Sequence, residues 1–156
     1  MSGAQDIPGV PTKIVVGTDG SETAARAVHK AAALAKAVGA ELLVVSAYNS
    51  RGPVGVASVG VEMDASWAAS AQAAAESCAT EAVAGLSPLG LDAVSARAVS
   101  GDPAEALIRV TEDEKADLLV VGSKGMQSTA RFLLGPIANK VSRRVACDLL
   151  IVETSA

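Results

Sequence analysis

Three glycines and two charged residues carry most of the chemistry this sequence could perform. The run Leu118-Leu-Val-Val-Gly-Ser-Lys-Gly-Met-Gln-Ser-Thr-Ala-Arg-Phe-Leu-Leu-Gly135 is a buried-type strand leading into Gly122 and Gly125, with Gly135 opening a later helix. Glycines after a strand let bare backbone N–H groups approach an anion, and a helix start adds donors of its own, so phosphate binding is the first expectation. Side chains at Gly122 or Gly125 are expected to fill the space such phosphates occupy. An internal echo adds to this. Val15-Val-Gly-Thr-Asp-Gly-Ser-Glu-Thr-Ala-Ala-Arg26 and Val120-Val-Gly-Ser-Lys-Gly-Met-Gln-Ser-Thr-Ala-Arg131 share Val-Val-Gly-x-x-Gly and an arginine at the same offset. The match is short enough to arise by chance; taken as a repeat, it puts two equivalent strand-to-turn units beside one crevice. One unit carries Asp19, whose carboxylate can accept hydrogen bonds from ribose hydroxyls. The other carries Lys124, which can reach phosphate; the reverse assignment would bring like charges together.

Other chemistry is poorly supplied. Cys78 and Cys147 lie far apart with no C-x-x-C spacing, and His29 is the sole histidine, so no zinc or redox motif assembles. No Ser-His or Cys-His arrangement and no G-x4-G-K-[ST] loop is present, which argues against a nucleophilic or P-loop hydrolase. We expect no catalytic residues and no resident metal, leaving only weak ATP hydrolysis open. A phospho-receiver would want clustered acids after its first strand, where Asp19 stands alone, and a flavodoxin would avoid the acids Asp19 and Glu22 around its phosphate. A formal charge of −4 and 2% aromatic residues argue against nucleic acid and anionic membranes as partners.

The elements that must position these residues alternate along the chain. Ile14 to Val16 reads as a central strand closed by Gly17, and Ser21 caps a helix on which Ala24, Ala27, Val28, Ala31, Leu34, Ala35 and Val38 share a face. His29 falls on the opposite, solvated side. Gly39 ends that helix, and Glu41 to Ala47 is a second buried strand. The stretch from Asn49 to Met63 is a long connection, either a flap or disordered. A helix over Asp64 to Ala84 should bury Trp67, Ala71, Ala74, Cys78 and Ala82 as one stripe. Ala93 to Val99 alternates like an edge strand, and Asp102-Pro103-Ala104-Glu105 starts a helix that runs to about Lys115. Asp148 to Val152 supplies the last strand. Such alternation gives one α/β domain, a single doubly wound five-stranded parallel sheet with helices on both faces. Its ligands belong at the carboxyl ends of the strands, where the strand order reverses, between Gly17 and Gly122. At 156 residues and 50% apolar the chain fits one core, over 13–156, with 1–12 as a flexible tail. Without an apolar leader or an uninterrupted span, a soluble cytoplasmic protein is expected.

Taken together, the glycine spacing, Lys13-Ile-Val-Val-Gly-Thr-Asp-Gly-Ser-Glu-Thr-Ala, Ala116-Asp-Leu-Leu-Val-Val-Gly-Ser and Asp148-Leu-Leu-Ile-Val resemble the universal stress protein family, whose nucleotide signature is G-x2-G-x9-G-[ST]. The resemblance implies the strand order 3-2-1-4-5 and an adenine-nucleotide crevice. It assigns Gly17, Thr18 and Asp19 to the adenosine, Ala47 to the adenine edge and Gly122 to the ribose. Lys124 and Gly125 open the phosphate loop, and Gly135, Pro136, Ile137 and Ala138 form the helix start facing the terminal phosphates. Pro136 departs from the pattern, removing a hydroxyl and an N–H where Ser or Thr is usual. The implied ligand is ATP, with AMP or cyclic AMP as alternatives because the loss falls on the outermost phosphates, and Mg2+ could accompany ATP. The resemblance also implies a homodimer paired through Asp148 to Val152. Two functions follow: a non-enzymatic nucleotide-binding regulator of stress response, or a stress-induced dimeric interaction protein with a vestigial crevice.

Overall fold

Apolar runs bounded by glycine, and helices started by their own caps, set the architecture before any long-range contact is considered. The computed structural model describes residues 7–50, 65–124 and 134–154. In chain order these form β1 (Lys13–Gly17), α1 (Glu22–Val38), β2 (Glu41–Tyr48), α2 (Ala65–Ala84), a 3-10 turn (Ser87–Leu89), β3 (Val94–Ser100), α3 (Pro103–Asp113), β4 (Leu118–Gly122), α4 (Pro136–Arg144) and β5 (Asp148–Val152). All pairings are parallel and the order is β3-β2-β1-β4-β5, as expected.

Successive strand residues point to opposite faces and so feed two cores. Ile14, Val16, Leu42, Val44, Leu118 and Val120 meet Ala27, Val28, Ala31, Ala32 and Ala35 of α1 on one face. Val15, Leu43, Val45, Leu119 and Val121 meet Ala104, Leu107, Ile108 and Val110 of α3 and Ala138 and Val141 of α4 on the other. The small alanines let α1 lie close to the sheet. Leu119 is fully buried, and its truncation to alanine would cost about 2–5 kcal/mol.

Helix ends follow their sequence signals. Ser21 Oγ accepts from the Ala24 N–H, Gly39 closes α1 in the left-handed region at φ 74°, and Asp102 accepts from the Glu105 N–H ahead of Pro103. At the opposite end of the sheet from the crevice, the Asp117 carboxylate takes hydrogen bonds from the N–H groups of Thr12, at 2.9 Å, and Lys13, at 3.2 Å. Those bonds pin the start of β1 to the start of β4. They also tie down the last residue of the expected tail.

One expectation needs correction. In α2 the buried residues are Ala75 and Ala79, whereas Ala74 is exposed and Trp67 is 38% exposed. The expected stripe is therefore rotated, because in a helix that is half alanine small apolar residues fall on every face and leave little contrast between them. β3 is the little-buried edge strand expected, with Val94 packing on the α1 side and Val99 on the α3 side as strand alternation requires. Residues 1–6, most of the expected Asn49–Met63 connection, the helix start at Asp64, and Arg131 of the echo lie outside the described residues.

Candidate functional site

The turn after β1 is built from its own side chains. Thr18 N–H donates to Val45 O at 2.9 Å, carrying the β1–β2 pairing one step beyond the strand. The chain then reverses at Gly20, whose φ of +83° favours glycine, while Gly20 N–H donates to Thr18 Oγ1 at 3.1 Å. Asp19 Oδ1 accepts from Ser21 N–H at 2.9 Å and from the Ser21 hydroxyl. The N-terminus of α1 thus has an oxygen cap and a carboxylate of its own.

The turn after β4 is held from outside. Ser123 N–H donates to Val152 O and Gly135 N–H to Ser123 O, both at 2.7 Å, which brings the two ends of the 124–134 segment together. At α4, Gly135 is the N-cap with no side-chain hydrogen bond, and Pro136 occupies the first turn. The first intrahelical donor is Asn139, to Gly135 O at 2.9 Å. The N–H groups of Ile137 and Ala138 therefore sit at the positive end of a helix that no side chain caps.

Between the turns lies a cleft of about 740 Å³, open mouth included, at the point where strand order reverses. Gly17, Thr18, Asp19, Ala47, Gly122, Lys124, Gly135, Pro136, Ile137 and Ala138 all line it, drawn from four separated parts of the chain. Gly125 lies outside the described residues. Val45, Pro103, Leu107 and Val121 supply an apolar floor, and Ser21, Thr23 and Ala24 a further wall. Sequence reasoning missed these. Pro103 read there only as part of a helix start and Leu107 was not singled out; their place at the cleft depends on which face of the sheet α3 covers. An apolar cleft with a few converging polar groups is what a small-molecule site requires.

The glycines have different reasons for being there. A Cβ on Gly17 would come 2.9 Å from Leu107 Cδ1, so side-chain bulk there would push the floor. A Cβ on Gly122 would come 3.0 Å from Thr154 Cγ2, on the sheet face turned away from the cleft floor. Bulk added at Gly122 would therefore press first on Thr154.

Helices α3 and α4 flank this side of the cleft and are joined by charge. Lys140 Nζ lies 3.2 Å from Asp102 Oδ2 and 3.3 Å from Glu105 Oε1, and Arg144 Nη1 lies 3.3 Å from Glu105 Oε1. Partial desolvation raises the Asp102 pKa, but the Glu105 N–H and the Lys140 ammonium outweigh it and leave the carboxyl below its ordinary range. Hydrogen bonds from Lys140 and Arg144 lower Glu105 likewise.

The model of the universal stress protein family matches residues 11–153. The chain belongs to this family. A universal stress protein of Mycobacterium tuberculosis strain H37Rv is 38% identical over 142 residues, covering 91% of this chain and 96% of that protein. One from Thermus aquaticus is 35% identical over 140 residues, covering 90% and 97%. A universal stress protein crystallised in complex with cAMP superimposes with a TM-score of 0.69 at 33% identity, covering 94% of this chain and all of that one. The strand order expected from the sequence resemblance is the one observed.

Proposed function

We propose that the cleft binds an adenine nucleotide and that the protein acts as a non-enzymatic regulator, with ATP as its ligand and AMP or cyclic AMP as alternatives. The observation that carries this reading is the convergence of Asp19, Lys124 and the uncapped start of α4 around one apolar floor. The base would lie on that floor by the end of β2 at Ala47, with its ribose toward Asp19, whose Oδ2 has no protein partner among the described residues. Phosphates would lie between Lys124 and the N–H groups of Ile137 and Ala138. The related protein solved with cAMP supports the class of ligand. Among the described residues no group of three His, Cys, Asp or Glu could hold a metal, so Mg2+ arriving with ATP would take its ligands mainly from the phosphates. Also among the described residues, no helix is long and apolar enough to cross a membrane.

Calorimetric titration with ATP, AMP and cyclic AMP tests this reading. Micromolar binding of at least one is expected, and binding of none would leave the dimeric interaction protein with a vestigial crevice. Dimerisation is proposed with either reading, because β5 is an edge strand whose Leu149, Leu150 and Ile151 remain half-exposed. Replacing Ile151 by proline removes a ladder donor and should convert a dimer to monomers in light scattering. A wild-type monomer at micromolar concentration would overturn the pairing.

A further inference from the structure

We infer that Thr154, beyond the last strand, is a positioning residue that sets the Lys124 turn for the phosphates of the nucleotide, and that Gly122 lacks a side chain in order to seat it. This rests on the nucleotide reading above. Thr154 belongs to no strand or helix and does not line the cleft, yet it is only 1% exposed. Its hydroxyl accepts from Lys124 N–H and donates to Lys124 C=O, each at 3.3 Å. Its own N–H donates to Ser123 Oγ at 3.1 Å, and the two hydroxyls lie 3.3 Å apart. Its carbonyl accepts from Arg26 Nη1 at 3.2 Å. Arg26 is the arginine of the first unit of the sequence echo, so a residue with no part in the cleft reaches from α1 to the opposite turn.

A hydroxyl bound to both polar groups of one residue fixes the two peptide planes on either side of Lys124. Those planes decide the direction in which the side chain leaves the turn. A lysine stem has large rotameric freedom, so orienting its first bond is the part of the placement that the backbone can control. The methyl of Thr154 completes the arrangement by packing over Gly122, where a Cβ would come within 3.0 Å of it. Gly122 is not in the left-handed region, so space and not backbone conformation demands glycine there. Buried polar groups that satisfy one another in this way hold a single geometry, because opening any bond leaves a partner unpaired.

The test compares ATP with adenosine in calorimetry. Thr154→Val keeps the shape and removes the hydroxyl; it should weaken ATP about tenfold while changing adenosine less than about threefold, and Thr154→Ser should restore ATP binding. Gly122→Ala should also weaken ATP, and adding Thr154→Ser to it should recover most of the loss, since the crowded methyl is then gone. Equal losses for ATP and adenosine, or no recovery in the double variant, would overturn the positioning role. Amide hydrogen exchange in the free protein separates this inference from the nucleotide reading. Lys124 N–H should exchange at least about tenfold faster in Thr154→Val and not in Thr154→Ser. If wild type binds neither ligand, the nucleotide reading falls, while unchanged Lys124 exchange would refute the latch itself.

Discussion

The two strand-to-turn units that face each other across the cleft start alike and end differently. After β1, Ser21 caps the Ala24 N–H and Asp19 takes the Ser21 N–H, both from within the same short stretch of chain. After β4, the start of α4 has only Gly135 and Pro136, and the turn is held by Val152 at the end of β5 and by Thr154 beyond it. A helix start that already holds a carboxylate and a hydroxyl oxygen disfavours an anion. The start of α4 carries neither, and Lys124 lies on that side, so on the nucleotide reading the division of labour across the cleft follows from which helix start already holds an acid.

Changes on either side should break or sharpen this contrast. The largest effect is expected from Gly17→Val, which drives bulk into Leu107 and the shared floor; ATP and adenosine should both weaken about a hundredfold in calorimetry with the fold retained. A loss confined to ATP would instead place phosphate at the first turn. Next comes Pro136→Ser, which restores an N–H and a hydroxyl to the open helix start. It should tighten ATP about tenfold and AMP less, and equal gains would mean the outer phosphates lie elsewhere. Ser21→Ala removes the cap of the closed unit and should cost about 1 kcal/mol in denaturant unfolding. No measurable loss would show that Asp19 alone suffices at α1.

The smallest effect concerns pH. A carboxylate whose pKa is lowered on folding contributes stability that is fully present above its unfolded value, near about 4, and is lost as pH falls through the folded value. Asp102 and Glu105 are lowered and both hold α4 through Lys140, whereas the cap of α1 is partly a neutral hydroxyl. Between about pH 5 and 3, α4 amides should lose exchange protection before those of α1. The charges are exposed, so the difference will be modest and 1 M salt should reduce it.

Much of this was legible in the residues themselves. β-branched runs closed by Gly17 and Gly122, and the caps Ser21 and Asp102, mark their elements because each is a local, near-obligatory physical signal. The described glycines, Asp19 and Lys124 could be placed at one crevice because a doubly wound sheet has one point where strand order reverses. What escaped was whatever depends on contrast or on distant packing. The buried face of α2 is hidden because alanine falls on every side of that helix. Thr154 looks like a polar residue past the last strand, and nothing local reveals that its hydroxyl closes onto Lys124 or that its methyl dictates Gly122. Leu107 becomes a floor only once α3 has chosen its face.

The carboxylate of Asp117 joins residues 104 and 105 positions apart in the chain, the separation that also divides β1 from β4. The other neighbouring strands are far closer in sequence, so this junction closes the longest loop in the sheet and bears the largest entropic cost of ring closure. During synthesis β1 can pair with β2 early but must wait for about a hundred residues before β4 emerges, and no shorter nascent chain can possess the cleft. The cleft thus arrives with the slowest class of contact, and a ligand that favoured the closed junction would act on folding as well as on the finished protein.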